Sequence, residues 1–457
     1  MDKAALIVVG MVLFYLVIGL SLLVFPDAVS RARNALFYSI RAISEQQAHR
    51  PVSAKERTQS RVVGIIFVVG SLFILFQIPW QIGKLPENTP SVGEGMAKDA
   101  SDNALHQLVT EIVSPFAPKH AGLIVVTIAD NVSDITGFGR VSLDSTIAPD
   151  SKTLFELGSL SKVFTGIALA ESVNRAEVSL QATIASLLPQ VPDLSSSEAA
   201  SITLEQLVTH TSGLPRMPAR TFRFAQLWNT IVAGDSYHDY TENELLTLVA
   251  KKSLKSAPGQ EFRYSNTGFA LLGYILSQRY EGEYQALIKT MIAEPLGMKD
   301  TGVTLNNDQE SRFATGYRSY LRIGPYYFAQ RAAHWNFPDC MAGAGGLRST
   351  ANDMLAFLAA NMELTTSAIT PALQKSHAIL YTTDDVQIGM AWFHDTLPAS
   401  GEAIIWHNGG TGGFSSFLGF SANGRFGVCV LSNSTRSVDA IGETLLEALV
   451  SAHPQPA

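Results

Sequence analysis

Cysteine, charge and basic excess are all scarce in this chain. Two cysteines, Cys340 and Cys429, occur in 457 residues. They form neither the paired spacing of a zinc site nor a redox motif. They read better as two separate buried thiols than as a disulfide, because a free cysteine behaves as a small hydrophobe. The sequence calls for no metal and no cofactor. Charged residues make up 16% of the chain and apolar residues 46%. That is too apolar for disorder and ample for a large core. No internal repeat is present. The formal net charge is −7, and an acidic body argues against nucleic acid as a partner.

The charge is unevenly spread. Residues 1–84 hold nine Lys/Arg against four Asp/Glu, a balance of +5, which leaves −12 for the remainder. Two uncharged apolar runs lie in this basic end, residues 4–25 and 62–82. Twenty-two residues of helix reach about 33 Å, enough to cross a bilayer core. A signal peptide has a shorter apolar centre and a small-residue cleavage site. Here the first run ends at Pro26-Asp27 without such a site. The expected plan is therefore a transmembrane helix in 1–25, a basic loop in 26–61 and a second transmembrane helix in 62–82. Residues 83–104, rich in Gly, Pro and polar residues, read as a linker. Arg31, Arg33, Arg41, Arg50, Lys55, Arg57 and Arg61 hold the loop in the cytoplasm, so both chain ends face the other side.

The body, 105–457, has strands at both ends and a helical middle. Gly122–Asp130 and Val132–Ser142 read as a strand pair joined at Asp130-Asn131. Glu402–Trp406, Phe417–Ser421 and Phe426–Ser432 read as further strands. The last two flank Ala422-Asn423-Gly424-Arg425, where Asn-Gly tolerates positive φ. A helix from about Val438 to Val450 closes the chain. The stretch from Ser159 to about Leu380 reads as mainly helical, with a capping box at Thr241 and Glu244. The whole suggests an α/β domain whose halves meet at a cleft.

Three short motifs carry chemistry. In Gly158-Ser159-Leu160-Ser161-Lys162, helical spacing puts Ser159 and Lys162 on one face. A serine hydroxyl needs a neighbouring base, and a desolvated lysine can supply one. Ser-x-x-Lys is also what an N-cap serine beside a surface lysine looks like. Ser161 reads as structural. In Tyr264-Ser265-Asn266, the phenol can accept a proton, and the amide can donate to a substrate carbonyl and orient the lysine. A core tyrosine beside a turn asparagine has the same spelling. In His407-Asn408-Gly409-Gly410, the glycines let a substrate backbone lie along a strand edge. An N–H there can join that of Ser159 in an oxyanion hole. A plain glycine loop, or a weak phosphate site without a following helix, are the alternatives.

Taken in this order, the three motifs resemble those of the class C β-lactamases and their penicillin-binding relatives. The resemblance covers about residues 105–450. It is supported by Thr209-His210-Thr211-Ser212-Gly213-Leu214-Pro215, Ala257-Pro258-Gly259, Pro295-Leu296-Gly297-Met298 and Ala344-Gly345-Gly346-Leu347. It implies an antiparallel sheet flanked by helices beside an all-helical subdomain. Ser159 becomes the acylated nucleophile, Lys162 its proton partner and Tyr264 the general base. Asn266 binds the substrate amide, and Gly410 supplies the second oxyanion N–H, with Gly409 beside it. His407 takes the place of a lysine, and Asn408 that of a threonine that helps hold a substrate carboxylate. His210 belongs to a structural motif. Met217 falls where class C enzymes have a glutamine.

The expected function is a serine hydrolase anchored in the bacterial cytoplasmic membrane, with its catalytic domain on the periplasmic side. It would act through an acyl-enzyme on D-alanyl peptides of the peptidoglycan type or on β-lactams. An esterase or β-lactamase on the same scaffold is one alternative. A membrane sensor acylated without turnover is another. The expected partners are membrane lipid and a peptide, β-lactam or ester substrate.

Overall fold

The computed structural model describes residues 80–84, 100–217, 237–324 and 326–453. The chain divides into two compact units. In the smaller, Trp80–Lys84 pairs antiparallel with 326–330. Residues 80–82 thus close the second apolar run as strand, not as helix. Among the described residues no helix is long and apolar enough to cross a membrane. The expected transmembrane segments 1–25 and 62–79, and the basic loop between them, lie outside the described residues.

The larger unit is built on an eight-stranded antiparallel sheet. Numbered within this sheet, the strands are β1 (Gly122–Ala129), β2 (Val132–Gly139), β3 (Tyr381–Thr382), β4 (Gln387–Ile388), β5 (Phe393–Thr396), β6 (Ala403–Gly410), β7 (Ser415–Ser421) and β8 (Phe426–Ser432). Their spatial order is β2-β1-β8-β7-β6-β5-β4-β3. Sequence-distant ends of the chain meet where β1 pairs with β8.

Strand periodicity divides the interior in two. Along β1, Ile124, Val126 and Ile128 face one core, while Leu123, Val125 and Ala129 face the other. In β7 and β8, Leu418, Phe420, Cys429 and Leu431 join the first core; Phe417, Phe426, Val428 and Val430 join the second. The second core is closed by α1 (Ala100–Val113) and the last helix, Asp439–Ala452. Leu105, Val109 and Val113 repeat at four-residue spacing, as do Ile441, Leu445 and Leu449, so each helix turns one apolar stripe to the sheet. The first core takes α2 (Ser161–Asn174), α3 (Asn266–Ser277) and α4 (Ala351–Asn361). The Asp439–Ala452 helix is α5. Each fully buried aliphatic side chain contributes about 1.5–3 kcal/mol.

Several expectations shift at their edges. The body starts at Ala100, inside the expected linker 83–104, because the first turn of α1 is polar and carries no apolar stripe. The strand expected at Glu402–Trp406 runs on through Gly410, because β7 holds it in register from Ile404↔Ser421 to Gly410↔Ser415. The Asp130-Asn131 turn is present, with both residues at positive φ. The capping box at Thr241 and Glu244 forms. Cys340 and Cys429 are free and buried. The helical middle also contains strands, among them Arg348–Thr350, which pairs with Leu154–Glu156.

Candidate active site

The nucleophile turn is held from three sides. Leu154–Glu156 leads into a single 3₁₀ turn, Gly158–Leu160, which runs directly into α2. Leu157 N donates to Leu347 O at 2.9 Å. Leu347 N donates back to Ser161 Oγ at 3.0 Å, so Ser161 is structural. Ser416 Oγ of β7 donates to Leu157 O at 2.7 Å. Ser159 remains partly exposed at the tip of this turn.

Lys162, one turn later, is fully buried. Its Nζ lies 2.9 Å from Ser159 Oγ and also donates to Ala344 O. Burial, helped by the Arg216 charge, holds its amine well below the ordinary lysine range. A buried ammonium with no carboxylate partner is costly, so the neutral amine is favoured. That species can accept the Ser159 proton.

Tyr264 lies just before α3, whose N-cap is Ser265. Lys162 Nζ is 5.0 Å from the centre of the Tyr264 ring. Burial pushes the phenol up to about 12, with the Ser159 hydroxyl and the Arg216 charge pulling the other way. His210 fixes the segment. Its carbonyl accepts from Arg263 N at 2.8 Å, its Nδ1 accepts from Ser265 N at 3.0 Å, and its ring lies 4.2 Å from that of Tyr264.

Asn266 opens α3. Its Nδ2 donates to Tyr237 Oη at 3.2 Å and lies 3.3 Å from Met217 Sδ. Its Oδ1 is buried and without a partner. The expected orienting contact to Lys162 is instead made by the Ala344 carbonyl.

β6 brings the third motif against the nucleophile turn. A β-carbon on Gly158, whose φ is +53°, would fall 2.6 Å from Gly410 N; one on Gly409 would fall 2.9 Å from Ser159 N. Only glycines permit this approach, which sets the Ser159 and Gly410 amides close together. His407 and Asn408, as strand neighbours, point to opposite faces. His407 turns to the catalytic side, fully buried, 6.5 Å from Tyr264 between ring centres. Its Nδ1–H donates to Asn408 O, which leaves Nε2 as an unpartnered acceptor. Burial first, then the Lys162 charge, lowers it to about 3. Asn408 turns to the other face, where Nδ2 donates to Asp439 Oδ2 at 2.8 Å. Strand alternation and the bond to Asp439 thus hold the Asn408 side chain on that face.

Ser159, Lys162, Tyr264, His407, Gly409 and Gly410 therefore converge, and Asn266 borders them. Sequence reasoning missed the Ala344 carbonyl, a backbone atom with no side-chain signal. It also missed Tyr237, whose ring stacks 4.5 Å from Phe337 with Trp335 edge-on at 5.4 Å. These aromatics come from separate segments. Among the described residues no group of three or more His, Cys, Asp or Glu side chains is placed to share a metal ion.

A family model described as Beta-lactamase matches residues 108–452. The chain belongs to the beta-lactamase family. Within it, the chain is similar to a beta-lactamase of Providencia stuartii, 25% identical over 306 residues, covering 66% of this chain and 72% of that one. It is also similar to the D-alanyl-D-alanine-carboxypeptidase/endopeptidase AmpH of Escherichia coli (strain K12). There the identity is 24% over 325 residues, covering 68% and 78%. A solved class C beta-lactamase superposes with TM-score 0.66 at 20% identity, over 79% of this chain and 99% of that one. The beta-lactamase fold is thus shared, with the antiparallel sheet and helical flanks that the motifs implied.

Proposed function

We propose that the chain is a membrane-anchored serine hydrolase that forms an acyl-enzyme on D-alanyl peptide amides. The observation that carries the reading is the 2.9 Å contact between a partly exposed Ser159 hydroxyl and a fully buried Lys162 amine. Neutral Lys162 takes the hydroxyl proton as Oγ bonds to the substrate carbonyl carbon. The oxyanion is met by the N–H groups of Ser159 and Gly410. Collapse breaks the scissile C–N bond. Tyr264, a neutral phenol beside Lys162, hands a proton to the leaving amine and is reprotonated from the lysine. Water then attacks the ester by the reverse proton path, releasing the acid and Ser159. The pKa directions favour Lys162 as the resting proton acceptor, with Tyr264 as relay, over a resting tyrosinate.

The D-alanyl substrate is supported by the likeness to AmpH and by the histidine that replaces the motif lysine. Membrane anchoring is supported by the two uncharged runs that flank a basic loop. The test is intact-protein mass spectrometry after a fluorescent penicillin, with a time course of deacylation, alongside release of D-alanine from a D-Ala-D-Ala peptide. A single penicilloyl adduct on wild type and none on Ser159→Ala is expected, with D-alanine released only by wild type. An adduct that persists on Ser159→Ala removes the nucleophile assignment. A stable adduct with no release from peptide or ester turns the reading to the sensor.

A further inference from the structure

A cavity of about 400 Å³ lies outside the catalytic cleft, lined by Lys119, Tyr320, Ser434, Thr435 and Arg436. None of the residues that converge on Ser159 lines it. Its volume falls in the usual range of small-ligand sites. Its walls come from three segments far apart in sequence: the turn before β1, the strand Tyr317–Ile323 and the stretch that follows β8.

Hydrogen bonds fix this frame. Lys119 N donates to Phe116 O at 2.9 Å, and the Lys119 ammonium lies 5.4 Å from the centre of the Phe116 ring. Ser415 Oγ bridges the carbonyls of Ser434 and Arg436, at 2.9 and 2.6 Å. Thr435 Oγ1 donates to Arg318 O at 2.7 Å. Ser434 is buried, and its Oγ accepts from Ala121 N at 2.9 Å, which leaves the hydroxyl proton for an acceptor in the cavity.

The two long side chains are exposed cations in an acidic body. Among the described residues, neither Lys119 nor Arg436 pairs with a carboxylate, whereas Arg175, Arg312 and Arg425 each do. Both charges act on one buried neighbour: His120 is held down to about 4, by burial first and then by Arg436 and Lys119. Like charges around one cavity repel, and an anion between them relieves the repulsion. A carboxylate is planar, and a single arginine fork satisfies it. Two cations and a hydroxyl better match a phosphoryl group, with about −1.5 to −2 charge and three acceptor oxygens.

We propose that this cavity is an anion site that takes a phosphoryl group, held by Lys119, Arg436 and Ser434. The group can belong to a soluble phosphate ester or to the headgroup of an anionic lipid. The strand that carries Tyr320 goes on to two exposed apolar side chains, Leu321 and Ile323, which suit the second source. A bound anion ties the stretch after β8 to the turn before β1, and so stabilises the fold without touching the catalytic groups.

The test places the full chain in nanodiscs of neutral phosphatidylcholine. Its Tm is followed as sodium phosphate replaces sodium chloride at constant ionic strength. Phosphate should raise the Tm of wild type. The phosphate needed for half the rise should increase about tenfold in Arg436→Gln and in Lys119→Gln, in line with one charge-assisted contact. Acylation of Ser159 by a fluorescent penicillin should be the same in wild type and both variants, with or without phosphate. No rise in wild type, or the same rise at the same phosphate in both variants, would overturn the site. Phosphate that slows acylation would overturn it too, since the anion would then sit in the catalytic cleft. Nanodiscs rich in phosphatidylglycerol separate the two sources. If a lipid headgroup fills the cavity, the Tm of wild type, but not of Arg436→Gln, should already be raised there, and added phosphate should raise it no further. If a soluble ester fills it, the phosphate response should persist.

Discussion

Lys162 and His407 are both buried bases, and both are held neutral chiefly by burial. For Lys162 the consequence is a linkage between stability and pH. The folded amine titrates below the ordinary 10.5, so between its lowered value and 10.5 the unfolded chain binds the extra proton. Stability contributed at this site therefore rises with pH and levels off above 10.5. Lys162→Met removes the penalty. It should abolish acylation yet stabilise the protein at pH 7, by about 1–3 kcal/mol, the usual cost of burying a polar group. Thermal melts of the two proteins from pH 6 to 11 check this: the gap should close toward pH 11, and a gap that widens would contradict a neutral buried lysine. For His407 the consequence concerns substrates. A motif histidine could pair with a substrate carboxylate when charged, and the free imidazole titrates near 6.5. It stays neutral from pH 5.5 to 8, because burial, the larger cause of its lowering, acts whether or not Lys162 is charged. The kcat/KM ratio of a carboxylate-bearing substrate to its neutral ester should then be flat across that range. A ratio falling as pH rises would restore the charged imidazole. The identity of these residues was legible in three short motifs, but their charge states were not. Charge depends on burial, and burial depends on segments distant in sequence, as Ala344 is from Lys162 and Tyr264 from His407.

At the scale of elements, one ladder and one turn do the positioning. The glycines of β6 looked like a loop after a strand, because glycine is poor in strands and no apolar alternation survives there. The structure makes them the strand's own last residues, pressed against the Gly158–Ser159 turn. Gly158→Ala should therefore cost activity beyond the strain of its positive φ, since the new β-carbon meets Gly410 N. Acylation should fall about 10²–10³-fold, the loss seen when an oxyanion donor is removed. Gly401→Ala is the control: its φ is +73°, and nothing lies within 4 Å of the added carbon. Both variants should lose about 1–3 kcal/mol of stability from backbone strain, measurable by urea melts. A Gly158→Ala protein that acylates at the wild-type rate would separate the Gly410 amide from catalysis. The sheet itself was legible at its hydrophobic strands, where alternation between two cores leaves a run of buried apolar residues at β1 and β8. The short strands β3 and β4 were not. Two residues each carry too little periodicity: β4 pairs with β5, and β3 in turn with β4.

At the scale of the whole molecule, charge is split between the two parts of the chain. Residues 85–457 carry −12 and hold the catalytic groups, whereas residues 1–84 carry +5 around two uncharged runs. Seven basic residues between the runs each favour the cytoplasmic side, where the inner leaflet is anionic. The two crossings proposed above would put the catalytic domain on the same side as the amino terminus, outside the cytoplasm. The loop and the body make opposite predictions for a reporter. Alkaline phosphatase, active only outside the cytoplasm, should be active when fused after Ala457 and inactive when fused after Glu45. Removing three loop arginines, Arg31, Arg33 and Arg41, should raise the Glu45 signal by weakening the bias. Activity at both junctions in wild type would mean that the second run does not cross. Inactivity at both would place the catalytic domain inside, away from any D-alanyl peptide of the cell wall. In either case the acyl-enzyme chemistry at Ser159 would stand, but its substrate would have to be found elsewhere.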